Sequence, residues 1–259
     1  MEAKGHDRMF TVMACEFLGT ALFLFGIIST NLPLTIPFSL LASVVIWGDI
    51  TGGHFNPAVT LGVWCTLEDK GKNFVFMLMI MVAQFLGGML GAFFAYLGQL
   101  GADDPVVPIL APTNPLTGAV DDSDTELGFK MDINVFTNEI MCTFIFISVI
   151  LMVKGKYTAD ARVGIGAAMC VVLTLLCCIS ASNKLGACFN PAVGSTLTIN
   201  SILYLGKQHR LYRYAYAYIA GPFIGALCAG VFHNLHAPGH EPEEEHREFD
   251  ASQKEKMLS

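Results

Sequence analysis

Few polar residues of this chain sit where they can do chemistry, and the most conspicuous come as a pair. Phe55-Asn56-Pro57-Ala58-Val59 and Phe189-Asn190-Pro191-Ala192-Val193 repeat the same five letters, 134 positions apart from Asn56 to Asn190. Asn is a favoured helix N-cap. Pro at the first helical position has a preset φ and no N–H to orphan. Each motif therefore predicts an abrupt helix start with a side-chain amide at its tip, able to offer a donor to a passing polar molecule. Glu16 and Glu139 are carboxylates inside apolar stretches, which by default suggest a proton pathway. Nucleophile–base pairs, metal-ligand clusters and nucleotide loops are all missing from these stretches. No enzyme, cofactor, metal site or catalytic residue is expected. His54, just before the first motif, has no partner ligands; it is expected to face a cavity with its carbonyl and imidazole.

The elements that must position these residues are membrane spans. The chain has 259 residues, 53% hydrophobic and 14% charged, against about 25% charged in soluble domains. No charge falls between Phe17 and Gly48, Asn73 and Ala102, Val163 and Asn183, or Tyr214 and Phe232. Roughly 20 apolar residues cross a bilayer core about 30 Å thick. Six spans are expected, at Phe10–Ser29, Leu34–Trp47, Phe74–Gly98, Ile133–Val153, Val163–Ser182 and Leu211–His233. The fold class is all-α and polytopic, and the lipid bilayer is the first partner.

The polar stretches frame one membrane domain, residues 9–236. It splits into halves 9–98 and 132–236, joined by loop 99–131. Segments 1–8 and 237–259 flank it, and the charged tail is expected to be disordered. Met1–Arg8 is polar, and the apolar stretch after it is too long for the h-region of a cleavable signal. Lys130, Lys184, Lys207, Arg210 and Arg213 fall on one side of the spans and the other Lys and Arg residues on the opposite side. The positive-inside rule then puts both termini in the cytoplasm, at the plasma membrane or an intracellular one. Most of the eight cysteines lie in apolar spans and are read as small packing residues. The net charge of -7 comes largely from the hydrophilic segments and does not suggest nucleic acid.

Two apolar segments are too short to cross. Pro57–Thr66 and Pro191–Leu203 each begin at an Asn-Pro cap, and ten helical residues reach only about 15 Å. Non-helical backbone at membrane depth is tolerated only where it lines a cavity. The residues just before the caps, Gly52, Gly53, His54, Gly186, Ala187 and Cys188, should therefore line one. The same offset lays Ala83, Gly87, Gly91 and Ala92 onto Ala217, Gly221, Gly225 and Ala226. Glu16-Phe-Leu-Gly-Thr20 likewise resembles Glu139-Ile-Met-Cys-Thr143. Each half holds three spans and a half-helix. Three is odd, so the halves are inserted upside down relative to each other, with a site between them at midplane. The half-helices then meet N-terminus to N-terminus, each end carrying roughly half a positive charge. Neutral solutes can pass, while cations and protons are disfavoured. The glycine pairs mark either a dimer interface or close packing within one protomer.

Paired Asn-Pro-Ala motifs on half-helices, an early Glu in the first and fourth spans, and small-residue third and sixth spans resemble the aquaporin, or major intrinsic protein, family. The likeness covers about Met9 to Phe232. It implies six tilted helices, a pore in every protomer and a homotetramer. It also implies that Glu16 and Glu139 hold the re-entrant backbones by hydrogen bonds, the favoured reading because unsatisfied buried polar groups are costly. The family's outer constriction maps onto Ile36, Cys178, Ala187 and Val193. In water-selective members the second-span position is usually aromatic, the fifth-span position His, and the last Arg; none of these is present here. Arg supplies up to five donors and a positive barrier, and Val supplies neither. Lys184 is the nearest cation in sequence. Two functions compete. One is a passive channel for water, small uncharged solutes such as glycerol, urea, hydrogen peroxide or ammonia, or both. The other is a poorly conducting scaffold or junction protein. The intact motif pair favours the channel.

Overall fold

The computed structural model describes residues 2–30, 32–103, 106–108, 110–112, 126–154, 165–205 and 210–236. Much of the loop 99–131, the connection 155–164 and the tail 237–259 lie outside the described residues. The described chain forms α1 (Glu2–Ile28), α2 (Thr35–Thr51), α3 (Pro57–Thr66), α4 (Lys70–Gly98), α5 (Glu126–Lys154), α6 (Ile165–Ala181), α7 (Pro191–Leu205) and α8 (Ala215–His236). A 3₁₀ turn at Arg210–Tyr214 leads into α8. All six expected spans are helical.

Their ends differ from the apolar boundaries. Hydropathy marks where lipid begins, whereas a helix continues until its backbone is stopped, so α1 starts at Glu2 and α5 at Glu126. The helix α2 runs on to Thr51, where Gly52 takes the left-handed conformation, φ 86°, and its N–H bonds the Gly48 carbonyl. Among the described residues four helical stretches are long and apolar enough to cross a membrane: Arg8–Ile28, Lys70–Gly98, Met131–Val153 and Tyr212–His236. The 17 residues each of α2 and α6 rise about 25 Å, close to a hydrocarbon thickness.

Packing repeats between the halves: α1 lies against α4 and α5 against α8. The glycine pairs make both contacts, and they do so within one protomer. A methyl on Gly87 would meet the Phe17 carbonyl, and one on Gly91 would lie 2.9 Å from the Phe25 nitrogen. On Gly221 it would lie 2.7 Å from the Glu139 Cβ, and on Gly225 2.9 Å from the Thr143 Cβ. The short helices fill the remaining gaps, α3 against α8 and α4, and α7 against α8 and α4.

The surface is apolar as well as the core, and a small set of polar groups is buried within that core. Val75, Leu78, Val82, Leu86 and Phe93 form an exposed apolar stripe on α4, as lipid requires. Glu16, Gln84, Glu139, Asn56 and Asn190 are buried. At one end of the bundle, Arg213 on the 3₁₀ turn pairs with Asp132 near the start of α5. Leu110 and Ala111, between α4 and α5, are buried.

Candidate functional site

Both Asn-Pro motifs cap their helices by the same geometry. Asn56 is extended (φ -158°, ψ 118°), and its Oδ1 accepts from Ala58 N at 2.8 Å and Val59 N at 3.4 Å. Asn190 Oδ1 accepts from Ala192 N at 2.9 Å and Val193 N at 3.4 Å. The amide nitrogens then cross over. Asn56 Nδ2 donates to the Phe189 carbonyl at 2.8 Å, and Asn190 Nδ2 donates to the Phe55 carbonyl at 3.0 Å. The half-helices thus meet N-terminus to N-terminus, tied by two reciprocal hydrogen bonds. An amide nitrogen has two N–H groups, so each crossing bond leaves a second donor.

The residue before each Asn bends the chain. Phe55 and Phe189 have φ of 46° and 52°, left-handed values that cost a bulky residue about 1–3 kcal/mol unless the surroundings impose them. Here the glutamates do so. Glu16 accepts from His54 N at 3.0 Å through Oε1 and from Phe55 N at 2.7 Å through Oε2. Glu139 accepts from Cys188 N at 2.9 Å and Phe189 N at 2.8 Å in the same way. Both carboxylates are fully buried and point at backbone.

The partners behind them differ between halves. In the first, Gln84 donates to Glu16 Oε2 at 2.8 Å and to Thr60 Oγ1 at 2.9 Å, and Thr60 also meets His54 Nδ1 at 3.2 Å. In the second, Tyr218 stands where Gln84 stands, and its hydroxyl donates to the Leu185 carbonyl at 2.7 Å. Gln84 and Tyr218 were not anticipated. The signal was present in Gln84, the one strongly polar side chain of the third span, but its partner Glu16 lies 68 positions away and only the fold brings them together.

Two cavities open at opposite ends of α1 and α2. One, of about 470 Å³, is lined by Ile27 of α1, Thr30 just beyond it, Ile36 of α2, Leu175 and Ile179 of α6, Pro108 and Leu110, and by Ser182, Gly186, Ala187, Cys188, Val193 and others. The other, of about 420 Å³, lies among α1, α3, α4 and the end of α2 and reaches His54 and Thr60. Between them is a neck of about 10 Å³, bounded by Phe23, Leu40, His54, Phe55, Asn56, Phe146, Leu175, Cys188, Phe189 and Asn190. That is the volume of about one water molecule.

Ile36, His54, Asn56, Gly186, Ala187, Cys188, Asn190 and Val193 gather in these walls, and the other expected site residues stand outside them. Ile36, Ala187 and Val193 line the 470 Å³ cavity together, but Cys178 is not in its wall. Its thiol faces α5 and donates to the Cys142 carbonyl at 3.7 Å. One helical residue subtends 100°, so Leu175 and Ile179 present the cavity face of α6 and Cys178 the neighbouring one. Gly52 and Gly53 (φ 86° and 63°) turn the chain into the first motif, but neither is in the wall of these two cavities or the neck. Ala58 and Ala192 are fully buried behind the caps, with Pro57 and Pro191 also buried. Lys184 is exposed and is not in the wall. Among the described residues no side chain lining the larger cavity is charged, and no cluster of metal ligands occurs.

Six spans, two half-helices meeting N-terminus to N-terminus and a one-water neck between two cavities define a helical membrane channel. The family model for the major intrinsic protein matches residues 6–233, and the chain belongs to that family. Aquaporin AqpM of Methanothermobacter marburgensis is 28% identical over 201 residues, 76% of this chain and 73% of the relative. The glycerol uptake facilitator protein of Bacillus subtilis is 26% identical, over 74% of this chain and 66% of its own length. The X-ray structure of the aquaglyceroporin from Plasmodium falciparum shares the fold with a TM-score of 0.72 at 21% identity, covering 88% of this chain and 97% of the other. The protein is an integral membrane channel for water and small solutes, and not an enzyme.

Proposed function

We propose that the channel passes small uncharged solutes of the glycerol and urea class together with water, one molecule at a time through the neck at Asn56 and Asn190. One observation supports this reading: the 470 Å³ cavity has Ile36, Ile179, Ala187 and Val193 in its wall and no charged side chain among the described residues. Such a wall offers no fixed positive barrier and no five-donor guanidinium. A solute there exchanges its hydration for backbone carbonyls and for an apolar surface that suits carbon-bearing molecules. The names of two relatives, an aquaglyceroporin and a glycerol uptake facilitator, agree with that class. Cations are opposed by the two helix N-termini at the neck. Glu16 and Glu139 act as fixed acceptors for the re-entrant backbones rather than as proton carriers. The protein works as a homotetramer with both termini in the cytoplasm.

The test is vesicle swelling, first in an impermeant osmolyte and then in glycerol or urea, for the wild type and Val193→Arg. Val193 is buried at the first turn of α7, beside the cavity. An arginine there fills space and restores donors, so the ratio of glycerol to water permeability should fall at least about tenfold, the discrimination of a difference near 1.4 kcal/mol. An unchanged ratio in an assembled variant would place the constriction elsewhere.

A further inference from the structure

We infer that Tyr218 is a positioning residue that sets the selectivity of the outer constriction, though it lines no cavity itself. The inference rests on the proposed location of that constriction. With no charge in the wall, the polar groups that greet a solute at this level include the carbonyls of Gly186, Ala187 and Cys188. Their direction is decided by the segment Leu185–Phe189, which has no helical hydrogen bonding of its own.

Tyr218 grips that segment at several points. Its hydroxyl donates to the Leu185 carbonyl at 2.7 Å, the peptide oxygen immediately before Gly186. Its ring and hydroxyl lie beside Gly186, where a Cβ would come within 2.5 Å of the Tyr218 oxygen; Gly186 has φ 72°. Its own carbonyl accepts from the Cys188 thiol at 3.5 Å and leaves room for no side chain at Gly194. The side chain is fully buried. Asn190, Phe189 and Cys188 are already fixed by the cap and by Glu139, so Tyr218 fixes the free end of the same loop.

The first half makes the contrast. There the matching Gln84 donates to Glu16 and Thr60 instead of to the loop before His54. Exchange of Gln for Tyr between halves moves the anchor from the carboxylate to the loop. Without the hydroxyl, the Leu185 carbonyl loses its partner and turns toward the wettest space near it, the outer cavity. The ring of carbonyls loosens. Water, which depends on aligned acceptors in a wall with no charged side chain among the described residues, is slowed, while a larger solute meets a less rigid opening.

The experiment measures water and glycerol permeability of full-length Tyr218→Phe in the same vesicles, where their ratio does not depend on how much protein is inserted. Loss of one buried hydrogen bond corresponds to about a fivefold loss of the ordered loop, so the glycerol-to-water ratio should rise about fivefold. Tyr218→Gln, which copies the first half and is too short to reach Leu185, should raise it similarly. Equal loss of both permeabilities at a constant ratio would make Tyr218 a merely structural residue and overturn the inference, as would two unchanged permeabilities. Failure of both variants to assemble would overturn it too, since an anchor of selectivity must be dispensable for folding. A wild type that conducts neither solute would instead refute the proposed function.

Discussion

Replacing Glu139 by Gln separates a structural carboxylate from a proton carrier. Each oxygen of Glu139 accepts one backbone N–H, from Cys188 at 2.9 Å and Phe189 at 2.8 Å. The amide is nearly the same size but keeps a single acceptor; its NH₂ must face the other backbone donor. One charge-assisted bond, worth about 1.5–3 kcal/mol, is lost, and the facing donor is left buried without a partner. Because these are two sides of one defect, they total about 3 kcal/mol rather than their sum. The strain at Phe189, φ 52°, is then no longer held, and the loop relaxes away from the neck. Thermal unfolding in detergent should show a midpoint lower by several degrees, and water flux per assembled protein should fall. Proton leak should not decrease. If Glu139→Gln melts and conducts like the wild type while a proton leak disappears, the carboxylate belongs to a proton path and the reasoning fails.

Three other perturbations test the remaining parts. In Asn190→Asp the cap acceptor survives, but the donor to the Phe55 carbonyl, 3.0 Å away, becomes an oxygen facing an oxygen; flux should fall at least about tenfold, an effect of about 1.4 kcal/mol or more. Normal flux in this variant and in Asn56→Asp alike would contradict the crossed-amide junction. Gly91→Ala pushes a methyl into α1 and should destabilise by about 1–3 kcal/mol, whereas Gly98→Ala, with nothing within 4 Å of the added atom, should melt like the wild type. Thiol reagents should inhibit through Cys188, which borders both the neck and the larger cavity; inhibition that survives Cys188→Ala but not Cys178→Ala would reverse the placement of these two thiols.

Much of this architecture is legible in the sequence because a membrane makes local signals strict. A charge-free run has to span, and an Asn-Pro start on a ten-residue apolar segment has to be a half-helix. Internal repetition then supplies the topology that a single motif cannot. Ala187 and Val193 could be assigned from the sequence because they adjoin the second motif, where no helical phase has to be carried over any distance, and both line the larger cavity. Cys178 was displaced for the opposite reason. Twelve positions separate it from Asn190, across the end of a helix and a bend, and an error of one residue there turns the side chain by 100° into the α5 seam. Tyr218 and Gln84 were illegible in another way. Their meaning lies in partners on other elements, and a Tyr in an apolar span carries no mark of the carbonyl it will bind.

The repeat also shows which parts of the site were free to diverge. The Asn caps, the strained phenylalanines and the two glutamates are the same in both halves, and their bond lengths agree within a few tenths of an ångström. These groups hold two like-signed helix ends face to face, a repulsive arrangement unless crossed hydrogen bonds and carboxylates behind the loops offset it. Any change on one side alone would leave a buried donor or acceptor without its partner. Outside this frame the halves part company: His54, Thr60 and Gln84 form a polar chain on one side, while Cys188, Gly194 and Tyr218 occupy the matching places on the other. None of those three pairs takes part in the crossed bonds, so each could change without unmaking the junction. On the function proposed above, the junction excludes ions and admits one molecule at a time. In the same proposal the larger cavity, with Val193 in its wall and Tyr218 behind it, is where this chain's choice of solute is made.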